Sequence, residues 1–311
     1  MNLLRGVSLL PDFKAGTVVT IGNFDGVHLG HQALLMQLKA QALEFKLPTV
    51  VLIFEPQPGE FFYRSKAPAR LTDLREKIEN LKKLQIDYVC CIKFNYALAN
   101  MQPADFASHY FFSALQAKYL LVGEDFRFGQ NRQGDVNLLA ELAKEANCKL
   151  DIFSNYLLND QRISSTKVRG LLAEGQLNSA QALLGRPYSI CGRVVEGQKR
   201  GRQWGIPTAN LKLHRLTLPL NGVFCVQVEH SNGCISNGVA NIGCRPTVDG
   251  NRNVLEVHLL DFSGNLYGEM LKVIFMHKLR DEAKFSSIEK LINQIRKDVV
   301  AAKGYFSDLI V

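Results

Sequence analysis

Up to about residue 153 the sequence alternates short β-rich runs with stretches of helical spacing, and after Gly185-Arg-Pro-Tyr188 that alternation stops. No other feature restricts the fold as much. Strands are expected at Thr17–Gly22, Pro48–Phe54, Ile86–Phe94, Lys118–Gly123 and Cys148–Phe153. Helical patterns separate them at Gln32–Phe45, Asp73–Leu84, Pro103–Leu115 and Gly134–Ala146. Strands that recur with a helix between them pair in parallel, so this half reads as a doubly wound parallel sheet with helices on both faces. Such sheets bind ligands at the carboxyl ends of their strands.

Two short helical segments follow, Ser165–Glu174 and Asn178–Leu184, and then strands succeed one another directly. Val223–Glu229 and Cys234–Ala240 flank Ser231-Asn232-Gly233, while Val254–Phe262 and Met270–His277 flank Ser263-Gly264-Asn265. Both pairs read as antiparallel hairpins, and the set as a small β-barrel. Ser286-Ser-Ile-Glu289 is a capping-box pattern leading a last helix with Ile288, Leu291, Ile292, Ile295 and Val299 on one face. The expected organisation is α/β plus β: residues 1–184 as the parallel-sheet domain, 185–311 as the antiparallel barrel with its terminal helix.

A chain of 311 residues can build two cores, and its apolar stretches fall short of a membrane span. With no secretory pattern between Met1 and Phe13, a cytoplasmic location is expected. Seven cysteines, an odd number without C-x-x-C spacing, indicate neither disulfides nor zinc. The net charge of +8 is concentrated in residues 186–311, which hold 17 Lys+Arg against 11 Asp+Glu. No basic run is interleaved with aromatics, which favours small phosphorylated ligands over nucleic acid or membrane. Self-association is left open.

The densest chemical signal is Thr20-Ile-Gly-Asn-Phe-Asp-Gly-Val-His-Leu-Gly-His31, where glycines narrow a loop between a strand and a helix. Backbone N–H groups and the helix dipole would face an anion there, and His28 and His31 could add hydrogen bonds to a phosphate whose charge shifts during reaction. Arg162-Ile-Ser-Ser-Thr-Lys-Val-Arg169 is by composition a phosphate clamp; taken alone an N-cap with solvated cations would be the preferred reading, but the H-x-G-H loop calls for a partner that grips polyphosphate. Phe54-Glu-Pro-Gln-Pro58 and Gly123-Glu-Asp-Phe-Arg-Phe-Gly129 both follow apolar strands, and their aromatics suit ordinary packing or the wall of a flat-ring pocket. In the second half, Gly197-Gln-Lys-Arg-Gly-Arg-Gln-Trp-Gly205 is a glycine-spaced basic loop, a phosphate cradle or a surface hairpin. Thr208 and Asn210 just beyond it offer neutral oxygens suited to Mg²⁺. Glu256 sits in the apolar strand Leu255-Glu-Val-His-Leu-Leu-Asp261, as half of an ion pair or as a general base.

In this order, and over nearly the whole chain, these segments resemble the bacterial bifunctional riboflavin kinase/FMN adenylyltransferases, the prokaryotic FAD synthetases. The likeness extends to L-L-G-R-P-Y (183–188), G-R-x-x-G-I-P-T-A-N (201–210), G-V-A-N-I-G-x-R-P-T (238–247), L-E-V-H-L-L-D-F (255–262) and K-L-R-D-E-x-K-F (278–285). It implies a nucleotidyltransferase domain followed by a riboflavin kinase domain: ATP phosphorylates riboflavin to FMN, and a second ATP adenylylates FMN to FAD, releasing pyrophosphate. By this resemblance His28 and His31 stabilise charge in adenylyl transfer, and Ser164, Ser165, Thr166 and Arg169 hold the ATP tail. Asn23, Asp25 and the segment Asp125, Phe126 and Phe128 line the nucleotide and flavin pockets. In the kinase half Glu256 is the base, Thr208 and Asn210 hold Mg-ATP, and Gly197, Lys199, Gly201, Arg202 and Gly205 form the phosphate loop. Arg280 lies on the flavin side. The chain departs from the pattern at Gln57, where the family commonly has His, and at Glu196; Gln57 can hydrogen-bond but carries no charge. A single-activity enzyme and a flavin- or RNA-binding regulator are the competing readings, and the intact H-x-G-H and Glu256 weigh against the regulator.

Overall fold

The computed structural model describes residues 1–7, 10–158, 161–197, 201, 204–247 and 250–309. The chain forms two compact units, one of residues 1–68 and 74–165, the other of 69–73 and 166–311.

In the first unit six parallel strands are β1 (Asn2–Arg5), β2 (Thr17–Ile21), β3 (Thr49–Glu55), β4 (Tyr88–Lys93), β5 (Ala117–Gly123) and β6 (Lys149–Phe153). Their order is β1-β4-β3-β2-β5-β6. The five expected strands are present; β1 is an addition at the edge, pairing Asn2 with Tyr88. Successive side chains enter opposite cores, as a sheet covered on both faces requires. Val19, Ile21, Leu120 and Val122 join one cluster with Phe106, Phe111 and Leu139. Val18, Val51, Tyr119 and Leu121 join the other with Leu34, Leu35, Leu38 and Leu81. The second cluster is roofed by α1 (Leu29–Phe45) and α3 (Leu74–Lys83), with the short α2 (Pro58–Tyr63) between them in sequence. On the first lies the stretch expected as one helix over 103–115. After the short α4 (Tyr96–Ala99) it begins as α5 (Pro103–Phe106) and continues at π spacing over Ala107–Ala114, a widening that a 3.6-residue pattern does not reveal. α6 (Val136–Glu145) follows, and a two-stranded ribbon, β7 (Leu157–Leu158) with β8 (Gln161–Arg162), precedes α7 (Ser165–Ala173).

From β2 the chain builds outward through β3 and β4, then returns to place β5 on the other side of β2. The order therefore reverses between β2 and β5. That is the switch point at which open α/β sheets hold ligands, and it sets the loops after Ile21 and Gly123 side by side.

The second unit carries α8 (Leu177–Leu184) and a closed antiparallel barrel of β9 (Ser189–Val195), β10 (Ala209–Lys212), β11 (Gly222–Glu229), β12 (Ile235–Thr247), β13 (Gly250–Leu259) and β14 (Met270–Arg280). The order is β10-β13-β12-β11-β14-β9. The hairpin around Ser231–Gly233 forms as expected, with Gly238 opposite Val226. The second expected hairpin does not. β13 pairs with β12 and β10, while β14 pairs with β11 and β9. The Ser263-Gly264-Asn265 segment turns the chain but hands it across two strands, because both edges of β13 are already taken. One of them is taken by β12, which runs on past Ala240 to Thr247. Gly243 lies in that ladder opposite Val254, where a Cβ would strike the Glu282 carboxylate.

Phe224, Val226, Leu255, Val257 and Phe275 fill the barrel, with Phe224 edge-on to Phe275 at 5.3 Å. On its outer wall Val223, Cys225 and Val239 pack against Ala302 and Phe306 of the terminal helix α9 (Ile288–Asp308). Its cap is Ser287, whose hydroxyl accepts from the Lys290 N–H, one residue later than the Ser286–Glu289 capping box predicts, and Ile288 of the expected stripe is exposed. Phe306 is 5 % exposed. Phe306→Ala should destabilise the barrel unit by about 3 kcal/mol, read as a lower urea midpoint for that unit.

Candidate active sites

In the first unit the loop after β2 is held by its own apolar residues. Phe24 and Val27 adopt left-handed φ values of 44° and 41°, and their side chains are buried at 2 % and 1 % exposure. Burial offsets the backbone strain and fixes the loop that presents His28. His28 is the N-cap of α1: the His31 main-chain N–H donates to its Nδ1 at 3.3 Å. That bond leaves the proton of a neutral His28 ring on Nε2. The two imidazoles stack, centroids 3.7 Å apart and planes at 15°. Gly30 makes the stack feasible, since a Cβ there would lie 3.2 Å from the His28 ring. Burial holds the His31 pKa well below the usual histidine value, and the charges of His28 and Lys77 push it the same way. His31 is thus neutral near pH 7.

The other motifs of this unit meet the loop. Ser165 Oγ donates to the Asp25 carbonyl at 2.9 Å, across 140 residues. Asp25 is buried and Asn23 exposed beside it. Arg162 Nη2 donates to Asp125 Oδ2 at 2.5 Å, joining the Arg162–Arg169 motif to the loop after β5. Phe126 and Phe128 stack at 5.4 Å, Phe128 being buried against Phe106. Ser164 is half-buried ahead of α7. Thr166 and Arg169 lie on α7 in the part of the chain grouped with the second unit, where Arg169 Nε donates to the Ala69 carbonyl at 2.6 Å. Gln57 caps α2 and is 8 % exposed, and its Nε2 has no hydrogen-bond partner among the described residues. Sequence reasoning did not single out the aromatic patch beyond β3 and β4. There Phe61 meets Tyr96 at 4.8 Å and Phe94 at 5.3 Å, with Phe62 57 % and Tyr96 72 % exposed. The run Phe61-Phe-Tyr63 straight after Pro58 was its only sequence signal.

The second unit has a cavity of about 830 Å³ between the outer wall of the barrel and α9. Gly201, Thr208, Asn210, Glu256 and Arg280 all line it. Register explains the convergence: Glu256 of β13 faces Asn210 of β10 on one side and Asn241 of β12 on the other. A carboxylate thus lies in a row between two carboxamides. His258, two residues on along the same face, donates from Nδ1 to the Pro207 carbonyl at 2.8 Å and ties the segment before Thr208 to the carboxylate's strand. Gly197 and Gly205 are absent from the lining but shape its approach. A Cβ on Gly197 would collide with the Asn210 side chain, and Gly205 has φ +73°. The loop closes on itself through Ile206 N–H to the Gly201 carbonyl at 2.9 Å. Lys199 and Arg202 lie outside the described residues. Arg280, the last residue of β14, is gripped by Asp298 of α9, which sequence reasoning missed.

Among the described residues no helix is long and apolar enough to cross a membrane, and no group of three or more His, Cys, Asp or Glu could hold a metal. The family model described as FAD synthetase matches residues 10–167, and that described as riboflavin kinase matches 184–306. A bifunctional riboflavin kinase/FMN adenylyltransferase of Haemophilus influenzae is 46 % identical over 99 % of this chain and 100 % of its own. Its counterpart in Escherichia coli K12 is 45 % identical over 98 % of each chain. Among solved structures, one titled a macrolide-efflux protein of Streptococcus pneumoniae superposes with a TM-score of 0.81 at 28 % identity, over 97 % of this chain and 99 % of that one. With both of its halves matched and its relatives covered end to end, the chain belongs to the family of bifunctional riboflavin kinase/FMN adenylyltransferases.

Proposed function

We infer that this chain carries out both reactions of its family in succession. The barrel unit moves the γ-phosphoryl group of ATP onto riboflavin, and the sheet unit joins the resulting FMN to the AMP moiety of a second ATP. The observation that carries this reading is the gathering of Glu256, Thr208, Asn210 and Arg280 on one cavity wall while His28 and His31 stack in the other unit. We place the two catalytic halves at 1–184 and 185–311, α7 and α8 being the connection.

A ribityl hydroxyl is a poor nucleophile, so the kinase reaction needs a base. Glu256 takes its proton as the oxygen bonds to the γ-phosphorus and ADP leaves. Adenylyl transfer needs none, because the FMN phosphate is already anionic. It attacks the α-phosphorus, pyrophosphate departs, and the Nε2–H of His28 with the N–H of His31 stabilises charge on the oxygens. Ser164 and Ser165 add hydroxyls for the triphosphate, with Phe126 and the patch around Phe61 as apolar walls for the flavin. ATP is the co-substrate of both steps. Mg²⁺ fits the cavity of the second unit: the Thr208 hydroxyl and Asn210 amide oxygen are hard neutral donors of the kind that accompany phosphate oxygens around it. When bound, it neutralises phosphate charge. The remaining ligands are small molecules, and the seven free thiols suit the reducing cytoplasm where ATP is made.

Incubating the protein with riboflavin, ATP and Mg²⁺ and resolving the flavins by chromatography should show FMN and then FAD. Failure to convert supplied FMN would sink the two-activity reading. A pH prediction follows from His31. Its folded pKa is depressed, so it stays neutral where a free histidine, at about 6.5, would titrate. kcat/KM for FMN adenylylation should therefore be level between about pH 7 and 8, and any acid loss should follow the FMN phosphate, whose second pKa is about 6. A limb centred near pH 7.5 would contradict this.

A further inference from the structure

We propose that Asp298 is a positioning residue for riboflavin phosphorylation, holding the Arg280 guanidinium in the one orientation that serves the flavin side of the cavity. The proposal rests on the assignment of Arg280 to that side. The grip is bidentate: Arg280 Nε lies 3.0 and 3.1 Å from the two Asp298 oxygens, and Nη2 lies 2.8 Å from Oδ2. Gln294 Nε2 donates to Oδ1 at 2.9 Å, fixing the carboxylate from one turn earlier on α9. Arg280 Nη1 donates to the Asp281 carbonyl at 3.0 Å, and Phe285 lies beneath the guanidinium carbon at 5.8 Å.

Asp298 is 5 % exposed and stands on the same helix face as Ala302 and Phe306, which pack on the barrel. For stability alone an apolar residue would do as well there, since a buried ion pair about breaks even against a hydrophobic replacement. The pair is also part of the cavity wall: Arg280, Phe285, Ile295 and Asp298 all line it. Three of the five guanidinium N–H groups have protein partners among the described residues, which leaves two for oxygen atoms of a cavity ligand, phosphate or hydroxyl. An arginine held on three sides offers those two donors without first losing rotamer freedom.

The test compares D298N, D298E, R280A and R280A/D298N in the full chain. Riboflavin phosphorylation is assayed over both substrates, and adenylylation of supplied FMN serves as the control for folding. D298N keeps the shape and loses the charge; D298E keeps the charge and displaces the fork by one methylene. Each should lower kcat/KM for riboflavin by ten- to a hundredfold, with KM for ATP within twofold and adenylylation unchanged. R280A/D298N should be no slower than R280A. If R280A phosphorylates riboflavin normally, the Arg280 assignment fails and the inference with it. If R280A is impaired but D298N and D298E match the wild type, or the two losses multiply, the inference alone is overturned.

Discussion

Glu256→Gln should lower riboflavin phosphorylation about a thousandfold and leave conversion of FMN to FAD at the wild-type rate. The factor is that of losing a positioned base, equivalent to about 4 kcal/mol in the barrier. Gln keeps the size of Glu and its place in the register between Asn210 and Asn241. The ladder should therefore survive, and the loss should fall on kcat with little change in KM for either substrate. Measuring both products from one preparation makes adenylylation the internal control, since no residue of the first unit is touched. A variant that still makes FMN within tenfold of wild type would reduce Glu256 to a wall residue and turn the search for a base toward His258, on the same face of β13 and in the same cavity.

The parts of this fold and its sites that were legible in sequence are those that local chemistry determines. β2 to β5 are buried on both faces and so appear as continuous apolar runs that a neighbouring helix pattern sets off. β1, four residues with only Leu3 and Leu4 apolar, offers no such run and exists because β4 has an open edge. The Ser263–Asn265 turn was legible as a turn, but its partner strand was not, because pairing depends on which edges remain open elsewhere in the barrel. The same division holds for function. His28, His31, Thr208, Asn210 and Glu256, the residues proposed for the two reactions, lie in short motifs that the sequence displays whole. Asp298 lies eighteen residues from Arg280 in a helix for which the sequence marks only an apolar stripe, and only the docking of α9 turns that carboxylate inward. The rings of Phe61, Phe62 and Tyr96 likewise come together only beyond the ends of adjacent strands.

Replacing His28 and His31 together by Ala should have the converse effect, lowering FAD formation from supplied FMN by about three orders of magnitude while riboflavin still becomes FMN. Loss of one such hydrogen-bond donor typically costs 10²–10³ in rate, and two stacked rings proposed to act on one phosphate should behave as a unit, so the double loss should be less than the product of the singles. One structural effect must be separated from this. His28 also caps α1, and its removal by Ala costs about 1 kcal/mol of helix stability. His28→Asn restores a capping oxygen for the His31 N–H but has no imidazole. If catalysis needs the ring, the Asn variant should be nearly as slow as the Ala variant while melting like the wild type. If cap geometry alone matters, Asn should restore the rate. The buried, neutral state of His31 sharpens the distinction: with no positive charge to lose, its contribution is one directed N–H, and raising the salt concentration should not reproduce the defect.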